Sequence, residues 1–215
     1  MIEIQLFNAT EQIVDEKLFD FLFHQLPLSM QKDVIAHTHW QDKCNIVVGK
    51  TILKNWLKDN NKVATLNNLQ YEQKERPFFI NVDFDFNISH SKEIVACAFS
   101  NNRVGLDIEK YRNIEVNHFQ KYFNANELLQ IMTAEKPLQQ FFKFWTIKEA
   151  AIKYNGNGVA VLGDTEILDN EKVKCKEKIL YYQLRNIVDG FSCCVVSKNE
   201  IEAIDIKVLS VEDLL

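Results

Sequence analysis

Apolar and polar residues alternate from Ile2 to Phe7, and a period of two predicts a half-buried strand. Helical spacing takes over next. Glu11–Leu26 predicts a helix behind Thr10 and stopped by Pro27. Ser29–His39 and Lys43–Leu57 predict two more helices, the second with Ile46, Val47, Leu53, Trp56 and Leu57 as its buried stripe. Strands are expected at Leu69–Gln73 and Phe84–Ile88, and a hairpin from Ile94–Phe99 and Val104–Glu109 through Ser100-Asn101-Asn102. The second half repeats the theme. Helices are predicted at Val116–Tyr122, Asn126–Thr133 and Leu138–Tyr154, then strands near Val173–Cys175, Ile179–Leu184, Phe191–Val196 and Ile204–Val208. Helices followed by antiparallel strands, twice over, predict an α+β fold of two similar halves, residues 1–102 and 103–215.

Composition narrows the function classes. A chain of 215 residues holds one large domain or two small ones, and 47% hydrophobic residues with fifteen Phe supply ample core. A net charge of −5 offers no basic footprint for nucleic acid. The five cysteines are odd in number and form no Cys-x-x-Cys, which favours reduced, packed thiols over disulfides or zinc. The N-terminus lacks the basic start and apolar run of a signal peptide, and no stretch approaches the roughly 20 apolar residues of a membrane span. A cytoplasmic protein is expected.

Three short segments carry candidate chemistry. In VGLDIE, Val104, Leu106 and Ile108 alternate with Gly105, Asp107 and Glu109, so both carboxylates share one strand face roughly 6–7 Å apart, within reach of one cation. Gly105 leaves room on that face for another backbone or a ligand. FWTIKEAAIK is helical by pattern and puts Trp145, Glu149 and Lys153 on one stripe. NISHS, upstream, carries Ser89 and His90. Each segment alone has a plainer explanation. Asp-x-Glu on a strand can be a solvated face, Glu149 and Lys153 an ordinary i,i+4 ion pair, and His90 a hydrogen-bonded histidine. Asn124 and Glu127 have the spacing of a capping box. Together the three segments point to a site for a divalent metal and a phosphate-rich substrate, and so to a transferase.

The order NISHS, VGLDIE, FWTIKEAAIK resembles the 4′-phosphopantetheinyl transferases of the Sfp type, from about Arg76 to Gly158. The resemblance implies transfer of the phosphopantetheine arm of coenzyme A to a serine of an apo carrier protein, with 3′,5′-ADP as the other product. It implies Mg²⁺, or Mn²⁺, on Asp107, Glu109 and Glu149, and Lys153 on the substrate phosphates. The base for the carrier serine would be Glu149 or Glu127. Arg76, ahead of Pro77, would grip a phosphate, and Ser89 and His90 would contact coenzyme A. The chain's length matches the double-length, monomeric members, whose halves stand in a pseudo-twofold arrangement with the active site in the cleft between them. The family's Arg-Thr pair is replaced here by Asn45 and Ile46, which leaves Lys32 and Lys43 as the nearest residues for the 3′-phosphate. Asn157 stands where relatives often have Lys. Two other classes stay open: another metal-dependent phosphate-ester hydrolase, and a non-catalytic carrier-binding relative, the latter suggested by Asn45 and Ile46.

Overall fold

The alternation at the N-terminus becomes strand β1 (Ile2–Asn8), which buries Ile2, Ile4 and Leu6 on one face and Phe7 on the other. The structure, a computed structural model, describes residues 1–10, 12–72, 76–156 and 158–215, so the expectations placed on Glu11, Gln73 and Asn157 lie outside the described residues. The first helix, α1 (Glu16–Phe23), is shorter than expected. The Asp15 carboxylate accepts the Leu18 N–H at 2.9 Å and opens the helix there, whereas the Thr10 carbonyl only closes a turn onto Ile13 and Val14. α2 (Leu28–Ala36) and α3 (Trp40–Asp59) follow. A two-residue ribbon, β2 (Gln70–Tyr71) with β3 (Pro77–Phe78), stands where a longer strand was expected. Next come β4 (Asp85–Ser91), β5 (Ile94–Ser100) and β6 (Val104–Lys110). Val116–Tyr122 coils as a 3₁₀ segment before α4 (Ala125–Thr133) and α5 (Pro137–Asn155). The chain ends with β7 (Thr165–Ile167), β8 (Lys172–Cys175), β9 (Lys178–Arg185), β10 (Phe191–Ser197) and β11 (Ile204–Val208).

Besides the β2–β3 ribbon, the described residues form two sheets, ordered β11-β1-β5-β4 and β6-β10-β9-β8-β7, and the α+β class holds. The expected hairpin of Ile94–Phe99 with Val104–Glu109 does not form. β5 has β1 on one edge and β4 on the other, so it has no free edge for β6, which pairs with β10 in the second sheet. The chain therefore passes from one sheet to the other around Asn102. β11 passes back: it runs parallel to β1, Ile2 opposite Ile204, which makes the first sheet mixed rather than purely antiparallel.

The packing follows from which faces are apolar. Phe7, Val95, Cys97 and Phe99 on the outer face of the first sheet meet Val48, Ile52 and Trp56 of α3, with Trp56 stacked on Phe99 at 4.3 Å. The inner face, with Ile4, Leu6, Ala96 and Ala98, packs on Leu106, Ile108 and Val195 of the second sheet. The far face of the second sheet is covered by α5. Gly105 makes that possible, because a Cβ there would lie 2.1 Å from the Ala150 carbonyl and 2.8 Å from the Tyr154 Cβ. The space that Gly105 leaves is thus filled by a backbone. The contact lays the Glu149–Lys153 stripe of α5 over the strand face that carries Asp107 and Glu109.

Candidate active site

β6 is the last strand of its sheet, and its outward N–H groups need acceptors. The polar residues of β4 supply them. Val104 N–H bonds the Asp85 carboxylate at 2.8 Å, Leu106 N–H the Asn87 side-chain oxygen at 2.9 Å, Ile108 N–H the Ser89 hydroxyl at 3.2 Å, and Lys110 N–H the Ser91 hydroxyl at 3.1 Å. This side-chain ladder joins the two sheets along the edge that holds the acidic pair. Asp85, Asn87 and Ser91 were not singled out in the sequence reading. Their signal was available, as every second residue of DFNISHS is polar or acidic.

Asp107 is 4% exposed. Its Oδ1 accepts from the Ser89 hydroxyl at 3.0 Å and from Lys153 Nζ at 2.7 Å, while its Oδ2 is buried with no partner among the described residues. Burial pushes this carboxyl above the usual range, more than Lys153 and Ser89 draw it down. Glu109 Oε2 accepts from the Ser91 hydroxyl at 2.9 Å and from Arg112 at 3.0 Å. Directly across from Glu109 on β10, the Ser192 hydroxyl is also buried, with no partner among the described residues. Glu149, on α5, is pushed up to about 7, first by burial and then by the Asp107 charge. Its i,i+4 neighbour Lys153 does not bridge to it among the described residues but turns to Asp107.

Does this face suit a divalent cation? Among the described residues, no three carboxylate, His or Cys side chains are gathered as a ready ligand set. The chemistry nevertheless fits a hard cation. All the candidate donors are oxygens, one buried carboxylate oxygen has no partner among the described residues, and a second carboxylate is driven toward protonation by burial and then by the charge of the first. The Lys153 ammonium now supplies positive charge at this point.

The other expected residues divide into those near this face and those elsewhere. Ser89 and Lys153 share a hydrogen bond of 2.7 Å beside Asp107. His90 lies on the opposite face of β4, exposed at the surface; surrounding protein, then the Lys153 charge, holds it below the usual imidazole range. Its Nδ1 lies 3.4 Å from the Asn45 amide. Asn45 is itself buried, accepts from Gln41 at 3.0 Å and donates to the Lys92 carbonyl at 2.8 Å, so the residue that replaces the expected arginine ties α3 to the β4–β5 turn. Arg76 is 5% exposed and committed to protein: it meets the Asp85 carboxylate at 2.6 Å and the carbonyls of Lys153 at 3.0 Å and Val104 at 3.1 Å. With Arg103, which bonds the Tyr154 carbonyl at 2.5 Å and Glu72 at 2.9 and 3.0 Å, it satisfies the C-terminal end of α5. Lys32 is exposed on α2 and Lys43 half-buried on α3, and among the described residues no hydrogen bond links either to the carboxylate face. A hollow of about 460 Å³ lined by Pro27, Lys54, Lys58 and Leu66 shares no residue with this face.

Glu127 forms the expected capping box: Asn124 N–H bonds its Oε2 at 2.9 Å, and Glu127 N–H bonds Asn124 Oδ1 at 2.8 Å. It does more. Oε1 accepts from Ile167 N–H at 2.9 Å, and Oε2 meets Lys148 Nζ at 2.7 Å, with both side chains 2% exposed or less. Lys148 also donates to the Tyr122 and Thr165 carbonyls. This lysine was missed in the sequence, although helical spacing puts it on the buried stripe with Phe141, Phe144 and Ala151.

Residues 103–198 match the model of the 4′-phosphopantetheinyl transferase superfamily. Over its whole length the chain is 28% identical to the 4′-phosphopantetheinyl transferase gsp of Aneurinibacillus migulanus, spanning 94% of that protein. It is 36% identical over 81 residues to the 4′-phosphopantetheinyl transferase Sfp of Bacillus subtilis (strain 168), a stretch covering 37% of this chain and 36% of Sfp. Over 106 residues, 45% of each chain, it is 34% identical to the 4′-phosphopantetheinyl transferase HetI of Nostoc sp..

Proposed function

We propose that this chain, which belongs to the 4′-phosphopantetheinyl transferase superfamily, transfers the 4′-phosphopantetheine arm of coenzyme A to a serine of an apo carrier protein. The observation that carries the site assignment is the unpartnered, buried Asp107 Oδ2 beside Glu149, on a face where a lysine ammonium already supplies positive charge. In the reaction the carrier serine oxygen bonds to the β-phosphorus of coenzyme A. The phosphoanhydride bond breaks, 3′,5′-ADP leaves with the electron pair, and the serine proton passes to a base.

Asp107, Glu109 and Glu149 are the residues that would hold Mg²⁺, which when bound supplies charge neutralisation at the pyrophosphate and the leaving oxygen. Lys153, with its side chain 30% exposed, reaches the rim of this face and adds positive charge for the same phosphates. For the base, the geometry favours Glu149 over Glu127. Glu149 is partly exposed on the face that carries Asp107 and Glu109, so a serine hydroxyl can reach it. Glu127 is closed in, with its oxygens held by two backbone N–H groups and Lys148. His90, exposed at the surface, remains the candidate for coenzyme A contact, whereas Ser89 is 2% exposed and its hydroxyl is held by Asp107, Ile108 N–H and Lys153. Arg76 reads as a structural cation, since its guanidinium is buried among protein acceptors. We read residues 1–102 and 103–215 as the two halves, the active site between them at the β4–β6 edge and β11 returned to the first sheet, in a monomeric, cytoplasmic enzyme. No helix among the described residues is long and apolar enough to cross a membrane.

Product analysis tests this reading. Incubation with coenzyme A, Mg²⁺ and an apo carrier should release 3′,5′-ADP in step with carrier modification. Free phosphopantetheine, released whether or not carrier is present, would instead mean a hydrolase.

A further inference from the structure

The ladder between β4 and β6 has two kinds of rung. Asp85 and Asn87 accept an N–H from β6 and, among the described residues, send no hydrogen bond on to the acidic pair. Ser89 and Ser91 accept an N–H and also donate, because a hydroxyl can do both at once. The two serines act in parallel. Ser89 takes the N–H of Ile108 and gives its proton to the carboxylate of the preceding residue, Asp107. Ser91 takes the N–H of Lys110 and gives its proton to the carboxylate of the preceding residue, Glu109. A hydroxyl locked to a strand's backbone on one side fixes the angle of the carboxylate it reaches on the other. Glu109 needs this more than Asp107. Asp107 is buried under α5 and held by Lys153, whereas among the described residues Glu109 has one further partner, Arg112, whose side chain is 46% exposed.

We propose that Ser91 is a positioning residue for Glu109, so that the first sheet sets the orientation of a carboxylate carried by the second. The inference rests on the reading that Asp107, Glu109 and Glu149 take a divalent cation. Ser91 itself is 8% exposed and faces the inner side of the sheet, which separates its role from direct contact with substrate.

The test is Mn²⁺ binding by the full chain with coenzyme A present and carrier absent, followed by the loss of the free-ion EPR signal. Ser91→Ala should weaken Mn²⁺ binding by about tenfold, the usual scale for losing an outer hydrogen bond to a ligand. Ser91→Thr keeps the hydroxyl and should bind within about twofold of the original chain. Asn87→Ala removes a rung that ends on no carboxylate; it should lower the melting temperature and leave Mn²⁺ affinity unchanged. Equal binding by Ser91→Ala and the unaltered chain overturns the inference. So does failure of Ser91→Thr to restore binding, or an equal loss in Asn87→Ala, since the ladder would then act on the fold alone. An unaltered chain that binds no Mn²⁺ contradicts the cation reading and the inference with it.

Discussion

Glu149→Gln should stabilise the metal-free protein while abolishing turnover. The Glu149 carboxyl is pushed from 4.5 to about 7 by burial and by the Asp107 charge. A carboxyl that binds its proton more tightly when folded disfavours folding wherever it must ionise. Below about pH 4.5 both states are protonated and the cost is absent. It grows as pH rises from 4.5 and is complete above about 7. At about 1.4 kcal/mol per tenfold, the displacement from 4.5 to about 7 amounts to about 3.5 kcal/mol, an upper figure because Glu149 keeps some solvent contact. Gln has the same shape and no charge, so it should recover most of this. For a chain of this length that is on the order of 6–10 °C in melting temperature. The assay is a melt in chelator from pH 4 to 8. The variant and the original chain should coincide at the acid end and separate as pH rises, the variant melting higher. Adding Mg²⁺ should then raise the original chain and not the variant, because only a state that binds the ion gains from it. A variant that melts lower at pH 8, or a gap that does not change with pH, would refute the electrostatic account of this site.

Other substitutions probe the same architecture. Asp107→Ala should lower the transfer rate by roughly a hundredfold or more while the fold survives, checked by rate and melting temperature together; near-normal turnover would remove Asp107 from the site. A capping box alone would make Glu127→Gln nearly silent, since Gln also serves there. The buried Lys148 reverses that expectation, and the change should cost about 3 kcal/mol in chemical denaturation by stranding a buried ammonium. If stability instead holds and turnover falls a hundredfold, Glu127 belongs to the chemistry. Gly105→Ala should destabilise by about 1–3 kcal/mol or more, since its Cβ would lie 2.1 Å from a backbone oxygen of α5; an unchanged unfolding midpoint would mean that α5 does not sit on β6 as described.

Local pattern carried much of the fold. The strand alternation of β1 and β6 and the uninterrupted helical spacing of α3 and α5 are properties of adjacent residues, so those elements stand close to where the sequence placed them. Pairing is not local. Ile94–Phe99 and Val104–Glu109 are separated by a turn-like segment, yet whether they pair depends on β1, β4 and β10, which compete for their edges. The return of β11 to β1 is equally remote in sequence. The candidate site shows the same division. Asp107 and Glu109 on one strand face, and Glu149 and Lys153 on one helix stripe, were legible from spacing. That Lys153 would reach Asp107 rather than Glu149 depends on Gly105 admitting α5 so closely. Arg76 was read from its neighbour Pro77, but its partners are Asp85 on β4 and two carbonyls from elsewhere in the chain, and only the folded chain brings them together.

The central claim is that this chain moves the phosphopantetheine arm onto a carrier serine, and the intact mass of the carrier tests it most directly. Apo carriers from fatty-acid, polyketide and peptide-synthetase systems should be incubated with the chain, coenzyme A and Mg²⁺. At least one should gain about 340 Da, the mass of the transferred arm. The gain should vanish in chelator and when the acceptor serine is replaced by alanine. If no carrier of any class gains that mass, the account is contradicted.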